Sequence, residues 1–196
     1  MNKLIILSTS TLMLGALNIS SALGADDAKE HHAKHNGYAM AGRNFLASQT
    51  DVAPVTQEQY RTECGSCHFA YQPGLLPARS WKLIMSKLDN HFGDNAELSS
   101  DVAQQLNTYL NANAADTTQY GRSPGIARSI PATAVPLRIT ETTYFMRKHH
   151  ELTRSVVQDN PKVKSFSACQ ACHTKAETGS YNEDEVQISG VGRWED

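Results

Sequence analysis

Two short stretches carry most of the chemistry that the sequence announces: ECGSCHFAY at 63–71 and ACQACHTKA at 168–176. Each places two cysteines three apart with a histidine directly behind the second, and these four cysteines are the only ones in the chain. A Cys-x-x-Cys pair serves three chemistries: a structural zinc site, a dithiol redox centre, or covalent haem attachment. Only the last has a use for the histidine. On a helix, Cys64, Cys67 and His68 stand at i, i+3 and i+4 and project from one face. Two thioether bonds then hold a porphyrin edge while the imidazole reaches the iron. Cys169, Cys172 and His173 repeat the arrangement. Zinc normally takes two ligand pairs joined by a short stretch, whereas these pairs lie about a hundred residues apart. A thioredoxin-like dithiol sits at a strand end in a βαβ unit, and no such pattern flanks either motif. Two covalently bound haem c groups are the expected cofactors.

Each proximal histidine, His68 or His173, leaves one axial position whose occupant decides the chemistry. Methionine raises the reduction potential relative to a second histidine, and an open position admits oxygen, nitric oxide or peroxide. The candidates are Met40, Met85, Met146, His31, His32, His35, His91, His149 and His150. His91 ends an apolar face begun by Trp81, Ile84 and Leu88, so it is the first choice; Met85 points away from it and packs as core. In YFMRKHHEL, His149 follows Phe145 by four and precedes Leu152 by three, while His150 lies about 100° further round the helix. His149 is therefore the preferred ligand, His150 a flanking residue and Met146 a neighbour of the ring. The HHAKH cluster at 31–35 reads as polar tail.

Short helices must position these groups. Thr56 and Gln59 match a capping box that starts a helix running into the first motif. QPGLLP at 72–77 is a turn-rich link, and a second helix is expected from about Ser80 to Gly93. A third begins at Ser99 or Ser100, with Val102, Leu106, Tyr109 and Asn113 on one side. Gly121, Pro124, Gly125, Pro131 and Pro136 make residues 114–140 a connector. The helical pattern returns from Glu141 to about Asp159, ahead of Pro161. No strand-like alternation is convincing, so the fold is expected to be mainly α, with a first haem unit at 56–113 and a second, with an acidic tail, at 141–196. The first unit is too small to build a large core alone. A haem of several hundred square ångströms supplies the missing interior at about 25 cal/mol per square ångström.

The chain opens with one lysine and an apolar stretch from Leu4 to about Ile19, then Ala22 and Gly24 at the −3 and −1 positions of a cut before Ala25. Residues 1–24 read as a secretory signal, and 25–55 as a polar N-terminal extension. The apolar stretch is interrupted by Ser8–Thr11 and falls short of the roughly twenty residues of a spanning helix, so no membrane anchor is expected in the mature protein. Export agrees with covalent haem attachment, which is completed outside the cytoplasm, and makes the periplasm the expected location. Loss of Lys3 with the signal leaves 17 of the 18 basic residues against 20 acidic ones, a net charge near −3. That balance excludes nucleic acid as an expected partner, since phosphate binding needs a basic face. The acidic run NEDE at 182–185 is a solvated stretch placed to steer a basic partner toward the second motif.

With the motifs and the two histidines located, the chain resembles the bacterial dihaem cytochrome c family. The matching stretches are ECGSCHFAYQPGLLPARSWKLIMSKLDNHFGDNAEL, RITETTYFMRKHHEL and SFSACQACHTKAETGSYNEDEVQISG, which include the Leu-Pro link, the Ser-Trp helix start and the His-Phe-Gly end. The resemblance implies an N-terminal unit similar to a monohaem cytochrome c and a C-terminal haem-binding segment with one main helix and little other regular structure. It implies two low-spin haems with histidine on both sides: Cys64, Cys67, His68 and His91 for one, Cys169, Cys172, His173 and His149 for the other. Family members commonly carry proline where this chain has Thr143 and Ser189. The expected function is a periplasmic carrier, not an enzyme, that shuttles single electrons between redox proteins. The family points to an oxygen-binding monohaem cytochrome c or a membrane-bound cytochrome as partner. The rival reading is a peroxidase-like dihaem enzyme with one displaceable axial ligand.

Overall fold

Short helices linked by 3-10 turns make up the structure, a computed structural model that describes residues 50–194. The signal segment, the extension up to residue 49, Met40 and the HHAKH cluster lie outside the described residues. As the sequence leads one to expect, the chain is mainly α. Its one regular sheet among the described residues is a two-stranded antiparallel ribbon, β1 (Gln187–Ile188) with β2 (Gly192–Arg193).

Helix α1 (Glu58–Gly65) leads into the first motif. The anticipated capping box is not made: Gln57 takes the cap position without a side-chain bond. The Thr56 backbone N–H instead donates to the Tyr109 hydroxyl at 3.1 Å, from a distant helix. Helix α2 (Ala78–Met85) starts directly behind Pro77, whose fixed φ suits a helix entry. Asp116 accepts from the Ala78 N–H at 2.7 Å and so satisfies one orphan donor of the first turn. This helix stops well short of Gly93. Ser86 turns its hydroxyl back onto the Leu83 carbonyl, Lys87 leaves helical geometry, and a 3-10 turn at Leu88–Asn90 follows. Helix α3 (Ser100–Ala112) forms as expected, with the Ser99 hydroxyl accepting from the Val102 N–H. Its Leu106 and Leu110 are buried against Tyr60, Leu76 and Trp81 in the first core cluster.

Residues 114–140 contain α4 (Ser123–Arg128) and otherwise turns, and they are fastened to the rest rather than strung beside it. Ala115 N–H donates to the Leu76 carbonyl at 2.9 Å, and the Arg79 guanidinium reaches the Ala134 carbonyl at 2.6 Å. Ile126 and Ile130 build a second core cluster with Val52, Leu75 and Ala115. Two glycines let the chain at 50–55 pass through. Gly121 has φ +50° and Gly179 φ +81°, and a Cβ would stand 2.3 Å from the Asp51 carbonyl oxygen at the first and 2.1 Å from that of Val52 at the second. No side chain fits there.

The long helix expected over 141–159 is replaced by α5 (Thr143–Lys148), capped by the Thr142 hydroxyl, followed by turns. The chain leaves the helix at His149 (φ −121°), whose side chain stays against the last turn. A third cluster, Val157, Val163 and Ile188, closes the C-terminal end.

Gln72 ties the regions that follow the two motifs. It is fully buried; its amide donates to the Ala176 carbonyl at 2.5 Å and its side-chain oxygen accepts from the Tyr181 hydroxyl at 2.6 Å. Next to it, the Tyr71 hydroxyl donates to the Ser167 carbonyl at 2.9 Å. Gln72→Leu strands a buried carbonyl and a buried hydroxyl, so it is expected to destabilise the holoprotein by about 2–4 kcal/mol. Tyr181→Phe, which strands only the Gln72 oxygen, is expected to lose about half as much; guanidinium unfolding followed by circular dichroism measures both.

Candidate cofactor sites

The first site assembles around the end of α1. Cys64 sits in the last turn of that helix, half-buried against the first core cluster. The helix ends at Gly65, so Cys67 and His68 come from the following turn and not, as anticipated, from one helical face. Both are exposed. His68 Nδ1 lies 2.8 Å from the Phe69 carbonyl oxygen. A carbonyl only accepts, so Nδ1 carries a proton and Nε2 is the nitrogen left to face a metal.

His91 faces it from a tight turn rather than from the apolar face of α2. His91 and Asp94 exchange both backbone hydrogen bonds, at 2.7 and 3.2 Å. The residues between them are Phe92, at φ +56°, and Gly93, at φ +110°. A left-handed conformation suits glycine but costs a bulky residue about 1–3 kcal/mol. The Phe92 ring packs edge-on against the His91 ring at 4.8 Å, and the Arg138 guanidinium covers it at 4.1 Å. The His68 and His91 ring centres stand 6.2 Å apart with planes only 21° from parallel.

The second site is a cavity of about 530 Å³, within the roughly 300–1,000 Å³ range of cofactor pockets. Its apolar wall includes Leu75, Phe145, Leu152, Val157, Phe166 and Ile188. Cys169, Cys172, His149 and His173 also line it, as do the cations Arg122, Arg147, Lys148 and Arg193 and the acids Asp51, Glu151, Glu183 and Asp184, with Arg122 paired to Asp51 and Lys148 to Glu183. His149, the residue that ends α5, stacks flat on Phe145 with ring centres 3.9 Å apart and planes 11° from parallel. Its Nδ1 donates to the Phe145 carbonyl at 2.9 Å, which again leaves Nε2 free. The His173 ring packs at 5.1 Å against Tyr181. Its Nδ1 is buried with no hydrogen-bond partner, so no polar contact of the chain fixes the ring's rotation. The His149 and His173 ring centres are 6.1 Å apart, with planes at 77°.

Protonation follows burial. It pushes the Cys64 thiol up to about 11 and the Cys169 thiol to about 12, and raises Cys172. A dithiol redox centre needs the opposite, a thiolate stabilised at low pKa. Desolvation lowers His91 and His149, and it takes His173 to about 4 with the neighbouring His149 adding to the effect. These rings are neutral at physiological pH, the form that ligates a metal. Among the described residues no three His, Cys, Asp or Glu side chains converge on one point, so a tetrahedral zinc site is not formed.

The residues present fit haem. Two imidazoles sharing one metal, each nitrogen about 2 Å from it and about 1.1 Å from its own ring centre, have ring centres about 6.2 Å apart. Both observed pairs have that spacing. Of the other candidates, Met85 is partly buried in the first core, as anticipated. Met146 is 53% exposed and is not among the residues lining the second cavity. His150 flanks the second cavity, its Nδ1 bonded to the Arg147 carbonyl and its Nε2 3.6 Å from Glu151. Two of the NEDE acids already have partners, Glu183 with Lys148 and Glu185 with Lys175. Sequence reasoning did not single out Arg138, Tyr71 or Tyr181. Their positions next to the ligand rings come from tertiary packing, with no local spacing to announce them.

Short helices, two Cys-x-x-Cys-His motifs and an opposing imidazole at each define a c-type cytochrome with two haem sites. The sequence profile of the dihaem cytochrome c family matches residues 60–181, and the chain belongs to that family. A dihaem cytochrome c from Shewanella baltica is similar at 45% identity over 70% of this chain and 97% of that one, with a TM-score of 0.59. One from Rhodobacter sphaeroides is similar at 44% identity over 66% of this chain and all of that one, with a TM-score of 0.60. No curated protein matches the chain. The protein thus carries two covalently bound haem c groups and has a haem-based role in electron transfer. Intact mass spectrometry of the purified holoprotein is expected to show two haems, and replacing Cys169 and Cys172 together by serine is expected to leave one.

Proposed function

We propose that the protein is a periplasmic electron carrier whose two irons are each held between two histidines, His68 with His91 and His149 with His173. The observation that carries this reading is the ring separation, 6.2 Å at one site and 6.1 Å at the other. A bound haem supplies an iron that alternates between ferric and ferrous states, and histidine on both sides keeps it low-spin in each. The chain's own residues orient the ligands. Phe69 and Phe145 carbonyls hold the Nδ1 protons of His68 and His149, so that Nε2 faces the metal side. The Phe145 stack fixes the plane of His149, and the apolar wall excludes water from the second centre.

Closed coordination on both sides favours a carrier over an enzyme, because no position is left for peroxide to bind. The partners are redox proteins, and the family resemblance favours an oxygen-binding monohaem cytochrome c or a membrane-bound cytochrome. Docking is brief and guided by charge, as befits a small redox interface. The periplasmic location rests on residues 1–24 reading as a secretory signal and on haem attachment taking place outside the cytoplasm.

Electron paramagnetic resonance of the oxidised holoprotein tests the ligation. Nearly parallel imidazole planes separate the iron d orbitals and give a rhombic low-spin signal; nearly perpendicular planes leave two of them close in energy and give a broad, strongly anisotropic one. One signal of each kind is expected. His91→Ala should abolish the rhombic signal alone, and His149→Ala the anisotropic signal alone. Ready binding of carbon monoxide to the reduced wild-type protein, or a high-spin signal in it, would overturn the reading in favour of a peroxidase-like site.

A further inference from the structure

Phe92 is an outlier that the ligand set does not explain. Gly or Asn at position 92 would make the same turn with little strain, since the turn asks for a positive φ. Phenylalanine is present instead, with 46% of its surface exposed, so ordinary core burial does not account for it either. What the ring does have is two specific contacts. One edge meets His91 at 4.8 Å, and the opposite demand is met by Arg138, whose guanidinium carbon lies 4.1 Å from the ring centre. Arg138 comes from the segment that the sequence marks as a connector, 46 positions further along the chain.

Its backbone is well anchored. Ile139, the next residue, packs on both the first and the second core clusters. The Arg138 carbonyl accepts from the Glu141 N–H at 3.1 Å, and the Ile139 carbonyl from the Thr142 hydroxyl at 2.8 Å. The side chain is half-exposed and has Glu141 at 3.7 Å as a loose counter-ion. Arg138 is near enough to His91 and Tyr71 for its charge to register on both. A guanidinium keeps its charge at any physiological pH and lies flat on an aromatic face, which an ammonium does less well.

We propose that Arg138 is a positioning and charge-setting residue for the first haem centre: through Phe92 it holds the His91 ring in place, and its fixed positive charge raises the reduction potential of that centre. The inference rests on His91 being the distal ligand. The sign follows from electrostatics. A nearby positive charge disfavours the state with the more positive metal, so the ferrous form is favoured and the potential rises. Ile139 also lines the second cavity, but the Arg138 guanidinium itself lies on Phe92, beside His91, so its charge acts more strongly on the first centre. The connector thereby makes the two centres unequal.

The test uses the holoprotein with potentials measured by spectroelectrochemistry and each centre identified by its resonance signal. Arg138→Gln is expected to lower the potential of the His68–His91 centre, shift the other distinctly less and keep both signals low-spin. Arg138→Lys keeps the charge and should restore most of the potential. Phe92→Asn relieves the turn, so thermal stability should not fall, but it removes the ring; carbon monoxide binding to the reduced first centre is expected to quicken several-fold. Arg138→Lys should fall between wild type and Phe92→Asn in that assay. An unmoved potential in Arg138→Gln, or equal shifts at both centres, would refute the charge-setting role. Unchanged carbon monoxide binding in Phe92→Asn would refute the clamp. Failure of the ligation reading itself is distinguishable, because wild-type protein would then bind carbon monoxide at the first centre before any residue is changed.

Discussion

Two pairs of imidazoles, held about 6 Å apart by segments distant in sequence, are the constraint around which the rest of this chain is arranged. His68 and His91 are separated by a helix and two turns, His149 and His173 by the third core cluster. Between the second pair lies a cavity whose wall is largely apolar. Burying several hundred square ångströms of porphyrin there is worth on the order of 10 kcal/mol at about 25 cal/mol per square ångström. That equals the whole net stability of a typical domain, about 5–15 kcal/mol. The haem is thus part of the core, alongside the three clusters of buried side chains.

The segments between the motifs are correspondingly short of regular structure and rich in specific polar ties. The Asp51 carboxylate accepts from the Tyr181 N–H at 2.5 Å and pairs with the Arg122 guanidinium at 2.6 Å, which draws three distant parts of the chain to one point beside the second cavity. Gln72 does the same between the two motifs. Such ties contribute modestly as single hydrogen bonds but severely penalise any alternative packing, because each would leave a buried polar group unpaired. In a protein with few residues for its cofactor load, register is set by these ties more than by secondary structure.

Covalent chemistry was legible in the sequence because it depends on local spacing. The two motifs and the burial of Leu106 follow from residue types a few positions apart. Helix α3 was legible for the same reason: its cap and its apolar face lie in one continuous stretch. The helices expected over 80–93 and 141–159 were both too long. In each case an apolar periodicity continued past the point where the chain leaves the helix: at Lys87, before His91, and at His149 itself. Periodicity reports which side chains face inward, and a 3-10 turn or a tight reversal can keep them inward as well as a helix can. The capping box failed because Tyr109, 53 residues away from Thr56, supplied a competing acceptor, which local pattern cannot reveal.

The inequality of the two centres has a local physical origin. At the second site the plane of His149 is dictated by Phe145 within its own helix, through the stack and the carbonyl bond together. The plane of His173 is set separately, by packing on Tyr181, and nothing relates the two; they meet at 77°. At the first site His68 follows the Phe69 carbonyl, while His91 follows a turn whose orientation depends on Phe92, and the planes end 21° apart. Ring orientation within each histidine pair is therefore decided by contacts one residue removed from the rings. If these pairs hold the irons as proposed, two identical Cys-x-x-Cys-His motifs give two electronically different centres because their neighbours differ, and such a difference lets a two-haem carrier favour one resting place for an electron over the other.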